Sequence, residues 1–106
     1  MFFFEDQNEA IKALCEANRV KHLYAFGSVT RDDFDKDSDI DLIVDFDETD
    51  PYLYTDLYFN LKFELEELLQ RKIDLLEDRA IQNQTFRQEL DSSKVLIYEQ
   101  KDQSLA

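Results

Sequence analysis

The chain has 106 residues, of which 43% are hydrophobic and 35% are charged. This length and apolar content are enough for one packed core, but the chain is too short for two. A formal charge of -13 repels a phosphate backbone and argues against direct nucleic-acid binding. No run approaches the roughly 18 apolar residues of a membrane helix, and Met1–Phe4 lacks the basic leader of a signal peptide. Cys15 is the only cysteine, so we expect no internal disulfide and no cysteine-based zinc cluster, and a cytoplasmic setting as the default. The chain length predicts a single domain over residues 1–106.

Hydrophobic periodicity divides the chain into alternating helical and extended segments. The predicted elements, in chain order, are helix Glu5–Asn18, strand Val20–Phe26, strand Asp39–Phe46, helix Tyr52–Gln70, strand Arg71–Glu77, helix Ala80–Leu90 and strand Val95–Tyr98. Pro51, the only proline, marks a boundary before the long helix. Because helices and short strands mix from end to end without a linker, we predict an α/β or α+β fold, with helices packed on a small sheet.

A turn and two carboxylates form the first candidate site. Gly27, the only glycine, ends the first strand, and the Ser28 hydroxyl is expected to cap a short helix through residues 29–31. Ten residues separate Ser28 from Asp39, and Asp41 lies two beyond Asp39, so their two carboxylates share one face if both lie on a strand. Hard carboxylate oxygens suit Mg²⁺, while a glycine turn and helix N–H groups suit the phosphates of a nucleotide.

Two further residues extend this site. Asp74 lies on the predicted third strand, pointing opposite to Ile73 and Leu75, and could meet the first two carboxylates across a neighbouring strand. A third acid there could help to hold metal and deprotonate an attacking hydroxyl. Arg31, one helical turn after Ser28, could contact phosphate or pair with the acidic loop that follows.

The Gly27-Ser28 pair, the ten-residue gap and the Asp39-Ile40-Asp41 triplet resemble the signature of the polymerase-beta-like nucleotidyltransferase superfamily. The short chain and the segment Arg71–Leu75 resemble its minimal nucleotidyltransferases (MNT). One departure is that family members often carry Arg-Gly after the Gly-Ser pair and a small residue. Here Asp32 follows Arg31, so the family pattern does not predict the loop from Asp32 to Ser38.

The resemblance implies a small mixed sheet flanked by helices, the nucleotidyltransferase fold. It also implies Mg²⁺ held by Asp39 and Asp41 with Asp74 as third acid, and ATP as substrate. Many such proteins are antitoxins of HEPN/MNT modules, which transfer AMP from ATP to a tyrosine hydroxyl of a HEPN ribonuclease toxin. A hetero-oligomer with that toxin, or a homo-oligomer, would follow.

Other interpretations of the same residues remain open. The fold could neutralise a partner by binding alone, which an acidic chain could do against a basic surface, or it could modify a small molecule. His22 is expected to be a packing or surface residue rather than an acid-base group. The acidic run Asp32–Asp37 resembles a cation-binding loop but is expected to be a solvated one. The aromatic side chains of the long helix could form a partner surface, namely Tyr52, Tyr54, Tyr58, Phe59 and Phe63, but we expect Phe59 and Phe63 in the core by default. Phe2–Phe4 could close the core or lie at a subunit contact.

Overall fold

The computed structural model of the chain describes residues 4–31, 35 and 37–101. The helices and strands within these residues are α1 Asn8–Ala17, β1 Val20–Phe26, β2 Ile40–Phe46, α2 Pro51–Leu69, β3 Ile73–Glu77, α3 Gln84–Ser93 and β4 Val95–Glu99. Short 3-10 turns occur at Glu5–Gln7, Gly27–Thr30 and Asp78–Ala80. The predicted mixture of helices and strands is confirmed.

The four strands form one mixed sheet in the order β3-β2-β1-β4. β1 runs antiparallel to both β2 and β4, whereas β2 and β3 are parallel. Two parallel neighbours need a crossover connection, and α2 provides it. The arrangement therefore places the N-terminal ends of β2 and β3 side by side.

The two faces of the sheet are packed differently. Side chains such as Leu23, Leu42 and Val44 join buried residues of α1 and α2 in the main hydrophobic cluster. Ile43 and Leu90 are also buried but lie outside this cluster. Strand residues alternate in direction, so Ile43 points to the opposite face, where α3 packs. The first face is therefore a closed core, and the second is only partly covered.

Helix α2 begins and ends at recognisable signals. The Asp50 carboxylate accepts hydrogen bonds from the backbone N–H groups of Tyr52 and Leu53, and Pro51 occupies the first turn. Gln70 then takes a left-handed conformation with φ 53° and ends the helix. No helix among the described residues combines the length and apolar character needed to cross a membrane.

Helix α3 begins four residues later than the predicted start at Ala80, so that boundary was wrong. Residues Asp78–Ala80 form a 3-10 turn, and the Asn83 side chain accepts a hydrogen bond from the backbone N–H of Phe86. This cap fixes the first turn of the helix at Gln84.

The short helix predicted after Ser28 is a 3-10 helix with other bounds, so the predicted Ser28 cap and the extension through Arg31 were wrong. Gly27–Thr30 is a single 3-10 turn, without a capping bond from a side chain, and Arg31 is already extended. The Thr30 hydroxyl donates to the Gly27 carbonyl at 2.7 Å, which closes the turn on itself. Only Val29 of this segment is buried, so a longer helix would lack an apolar face to pack.

The expectation that Phe59 and Phe63 lie in the core was wrong. They are 47% and 58% exposed, with their rings stacked 6.1 Å apart on the outer face of α2. Of the tyrosines, Tyr52 is exposed and Tyr54 is buried. Phe4 is buried in the main cluster, while residues 1–3 lie outside the described part of the chain.

Candidate active site

The N-terminal ends of β2 and β3 bring two acidic side chains together. In the parallel register of these strands, Asp41 stands directly opposite Asp74. Asp41 also stands opposite Phe26, the last residue of β1, so the chain turns at Gly27 beside this carboxylate. All of this lies on the partly covered face of the sheet, because Ile40 and Leu42 on either side of Asp41 point into the main core.

Gly27 lies against the Asp41 carboxylate. A Cβ atom at position 27 would stand 2.6 Å from Oδ2 of Asp41, closer than atoms can approach without a shift. Gly27 also has φ +72°, in the left-handed region that glycine tolerates and other residues disfavour. Both the turn and the close approach therefore require a residue without a side chain.

The electrostatics of Asp41 show that negative charge is concentrated here. Burial raises the pKa of Asp41 above its ordinary value, and the charges of Asp74 and Asp39 raise it further. The Arg31 guanidinium acts in the opposite direction and lowers the pKa. All four predicted charged residues of the site are therefore close enough to interact. A cation would stabilise the ionised form of Asp41.

Asp39 precedes β2 and its side chain is exposed, as is that of Asp74. Carboxylates of this kind provide the oxygen donors that Mg²⁺ prefers. In the described part of the chain, no three acidic, histidine or cysteine side chains are drawn together tightly enough to form a metal-binding group. Asp39, Asp41 and Asp74 are thus neighbours rather than a closed cage, as expected for like charges that repel one another.

The phosphate-binding half of the site differs from the expectation. Gly27 lies beside Asp41, and Ser28 is half-buried in the following turn. Because this turn is not the start of a helix, there is no helix dipole to attract an anion. Contacts to phosphate would instead come from the turn itself and from Arg31.

One residue near the site was not identified from the sequence. Arg71 donates hydrogen bonds to the backbone carbonyls of Asp35 and Ser38, in the loop that leads to Asp39. The sequence signal was only a basic residue at the start of the predicted strand that carries Asp74. Bonds to backbone carbonyls leave no pattern in the residue types that accept them, so the contact could not be predicted.

Behind the carboxylates, helix α3 covers the same face of the sheet. Phe86 of α3 meets Phe26 with ring centroids 6.4 Å apart, and Lys94 lies over the Tyr24 ring. A cleft of about 370 Å³ opens between β3 and the start of α3, lined in part by Leu76 and Ile81. Leu76 is two residues beyond Asp74 on the same face of β3.

His22 lies farther along this face, away from the carboxylates. Its Nε2 is 2.6 Å from Oδ2 of Asp78, and Arg87 contacts the other oxygen of the same carboxylate at 2.6 Å. This ion-pair cluster joins β1 to α3, so His22 has a packing role, as expected. Of the acidic run, Asp35 and Asp37 are exposed, whereas residues 32–34 and 36 lie outside the described part of the chain.

Residues 9–103 match the protein family described as Polymerase beta, Nucleotidyltransferase. A protein of Methanocaldococcus jannaschii, named as a candidate protein adenylyltransferase, is 35% identical over 86 residues. The matched region is 81% of this chain and 85% of that relative.

Two solved structures share the fold. The structure of a candidate minimal nucleotidyltransferase, 29% identical, superposes with a TM-score of 0.71 over 87% of this chain and 90% of its own. The second is the structure of a tri-AMPylated HEPN toxin from Shewanella oneidensis in complex with MNT antitoxin. It superposes with a TM-score of 0.62 at 19% identity, and the match covers 91% of this chain and 72% of that one. At that identity the second likeness concerns the fold alone.

Proposed function

Since the chain belongs to the Polymerase beta, Nucleotidyltransferase family, we propose that it is an antitoxin that transfers AMP from ATP to a tyrosine hydroxyl of a HEPN ribonuclease toxin. The relative from M. jannaschii supports a protein as acceptor, because it is named for protein adenylylation. The Shewanella complex supports the class of partner, because there an MNT antitoxin is bound to a HEPN toxin that carries AMP.

One observation carries the proposal. Asp41 and Asp74 stand opposite each other on parallel strands, with the Gly27 turn in contact with Asp41. A nucleotidyltransferase needs carboxylates, a phosphate-binding turn and an acceptor-side base within the span of one triphosphate. The neighbouring carboxylates and the Gly27 turn at this corner of the sheet support the proposal that these residues take those roles.

The donor set fits Mg²⁺, because its oxygen atoms are hard ligands and because burial and the charges of Asp74 and Asp39 raise the pKa of Asp41, which a cation would offset. Asp39 and Asp41 would hold the ion, with Asp74 as a third ligand. When bound, the ion would supply positive charge to offset that of the triphosphate. The Gly27-Ser28 turn and Arg31 would contact the phosphates.

The remaining chemistry falls to the protein's own residues. Asp74 would accept the proton of the acceptor hydroxyl, whose oxygen then forms a bond to the α-phosphorus of ATP. The bond from the α-phosphorus to the bridging oxygen of the β-phosphate breaks, and pyrophosphate leaves. Gly27 keeps the turn close to Asp41, so that nucleotide and acceptor are aligned rather than merely bound.

Charge also bears on the partner. A chain with a formal charge of -13 attracts a basic protein surface and repels RNA. It is therefore suited to bind a ribonuclease directly rather than to compete for nucleic acid. The cytoplasm, where ATP and such a toxin would be found, belongs to the same proposal.

The test combines labelling with substitution. Purified protein, α-labelled ATP, Mg²⁺ and a HEPN partner should give a labelled partner. Asp39→Asn combined with Asp41→Asn should abolish the label, while Asp56→Asn, an exposed acid on α2, should not. The proposal fails if wild-type protein gives no label while an active homologue labels its own partner under the same conditions.

The same variants separate catalysis from neutralisation by binding alone. If the Asp39→Asn, Asp41→Asn protein still forms the complex but no longer protects cells from the toxin, transfer explains the protection. If protection persists without transfer, binding explains it, and the carboxylates are not needed for antitoxin activity.

A further inference from the structure

The loop before Asp39 is closed by its own hydrogen bonds into a compact turn. The Ser38 backbone N–H donates to the Asp35 carbonyl at 3.1 Å, and the Ser38 hydroxyl lies 3.2 Å from the Asp35 carboxylate. The Asp37 N–H donates to that same carboxylate at 2.9 Å. Residues 35, 37 and 38 are therefore bonded to one another, and a contact that holds this turn also constrains the position of Asp39.

Arg71 fastens that turn to the body of the protein. One nitrogen of its guanidinium, Nη2, donates to the Asp35 carbonyl at 2.6 Å and also to the Ser38 carbonyl. Arg71 itself is fixed at the end of α2, because it follows the left-handed Gln70 and precedes the first residues of β3. The loop is thus tied to the strand that carries Asp74.

The chain on the other side of Asp39 is held by the next residue. The backbone N–H of Ile40 donates to the Lys72 carbonyl at 3.1 Å. Asp39 therefore lies between two anchored neighbours, Ser38 and Ile40, which are bonded to Arg71 and Lys72 in turn. Its own side chain is exposed and lies outside the regular strand, so these two attachments determine its position.

We propose that Arg71 is a positioning residue for metal binding: it holds Asp39 in place relative to Asp41 and Asp74 through the carbonyls of Asp35 and Ser38. This inference rests on the proposed function, in which Asp39 is a metal ligand. A guanidinium presents several donors in a fixed plane, whereas a lysine ammonium is a point charge on a flexible stem. Because both bonds come from Nη2, they depend on its two N–H groups being held in that plane as well as on the charge.

The first test is Mn²⁺ binding, measured by electron paramagnetic resonance without nucleotide or partner. Arg71→Ala should weaken Mn²⁺ affinity by about tenfold or more, the range found when a group that supports a metal ligand is lost. Lys72→Ala is the matched control, because it removes one positive charge at the adjacent position and keeps the backbone carbonyl. It should change the affinity by less than about twofold, since only screened charge is altered.

Two more variants show whether Arg71 acts through Asp39. In an Asp39→Asn background, Arg71→Ala should have little further effect on Mn²⁺ affinity, because the ligand it positions is already lost. Arg71→Lys keeps the charge and should fall between wild type and Arg71→Ala. Circular dichroism shows that each variant is folded, and hydrogen exchange at the Ile40 amide reports whether the segment has loosened.

The inference is overturned if Arg71→Ala and Lys72→Ala weaken Mn²⁺ binding equally, if Arg71→Lys binds as wild type does, or if the effect of Arg71→Ala is undiminished by Asp39→Asn. These results are independent of AMP transfer. A wild-type protein that binds Mn²⁺ in the Arg71-dependent way but labels no partner would refute the proposed function and leave the role of Arg71 standing.

Discussion

Replacing Gly27 with alanine separates strain in the backbone from displacement of the site. The φ of +72° is unfavourable for any residue with a Cβ, by about 1–2 kcal/mol. The new methyl would also stand 2.6 Å from Oδ2 of Asp41, where ordinary contacts begin at 3.4 Å, so the carboxylate must retreat by about 0.8 Å. Because that oxygen is the end of a side chain that can rotate, the retreat itself adds little to the cost of folding.

The two effects predict different magnitudes. Gly27→Ala should lower the free energy of unfolding by about 1–2 kcal/mol. Each kcal/mol lowers the melting temperature by roughly 4–8 °C for a domain near 100 residues. The rate of AMP transfer should fall by about 100-fold, because misplacement of a reacting group by about 1 Å has that effect. Urea unfolding measures the first quantity, and initial rates of AMP transfer measure the second.

Ser28→Ala is the matched control for this experiment. It changes the same turn, but the Ser28 side chain makes no capping bond and alanine creates no contact with Asp41. Stability should change by less than about 0.5 kcal/mol, while the affinity for ATP falls if the hydroxyl contacts phosphate. A Gly27→Ala protein that keeps wild-type stability and activity would refute the reasoning from φ and from the Asp41 contact.

Three other predictions concern the rest of the fold. Leu65→Ala should lower the unfolding free energy by about 2–5 kcal/mol, measured in urea, because Leu65 is fully buried between α2 and the sheet. Burial raises the pKa of Cys15 to about 12, so iodoacetamide at pH 8 should label the thiol only as fast as the protein opens. Burial also tends to raise the pKa of Asp78, but hydrogen bonds from Arg87 and His22 outweigh it and lower the pKa. The stabilisation that follows from this lowered pKa is present above pH 3.8 and is lost as the pH falls further. Asp78→Asn should abolish this part of the acid dependence in unfolding titrations.

Residues that obey one short-range rule were predictable from the sequence. Strand β1 was predicted at its observed bounds, because an apolar run ends at the only glycine. The side-by-side placement of Asp41 and Asp74 followed from period-two alternation on two strands, although only the structure reveals that the strands are parallel and adjacent. The roles of these two acids stay a prediction, which the substitutions above test.

Features that depend on competition between patterns were not predictable. Helix α2 carries apolar residues on more than one side, so periodicity could not decide that Leu61 faces the core while Phe59 and Phe63 face solvent. Ala80 and Ile81 look helical, yet the Asn83 cap starts α3 later. The short turn after Gly27 is decided by the absence of an apolar face, a property of packing that residue types alone do not reveal.

Acidic side chains on the partly covered face of the sheet have two kinds of surroundings. This contrast gives a physical reason to place the chemistry at the end of the face beside the Gly27 turn. Asp78 is held by Arg87 and His22, so its pKa falls. Burial and then the neighbouring charges of Asp74 and Asp39 raise the pKa of Asp41, even though Arg31 opposes the shift. The protein thus neutralises its own acids near α3, but gathers like charges beside the Gly27 turn, where only a further cation could fully offset them. Folding alone would favour the first arrangement everywhere, so the second is the arrangement that the proposed Mg²⁺ would stabilise.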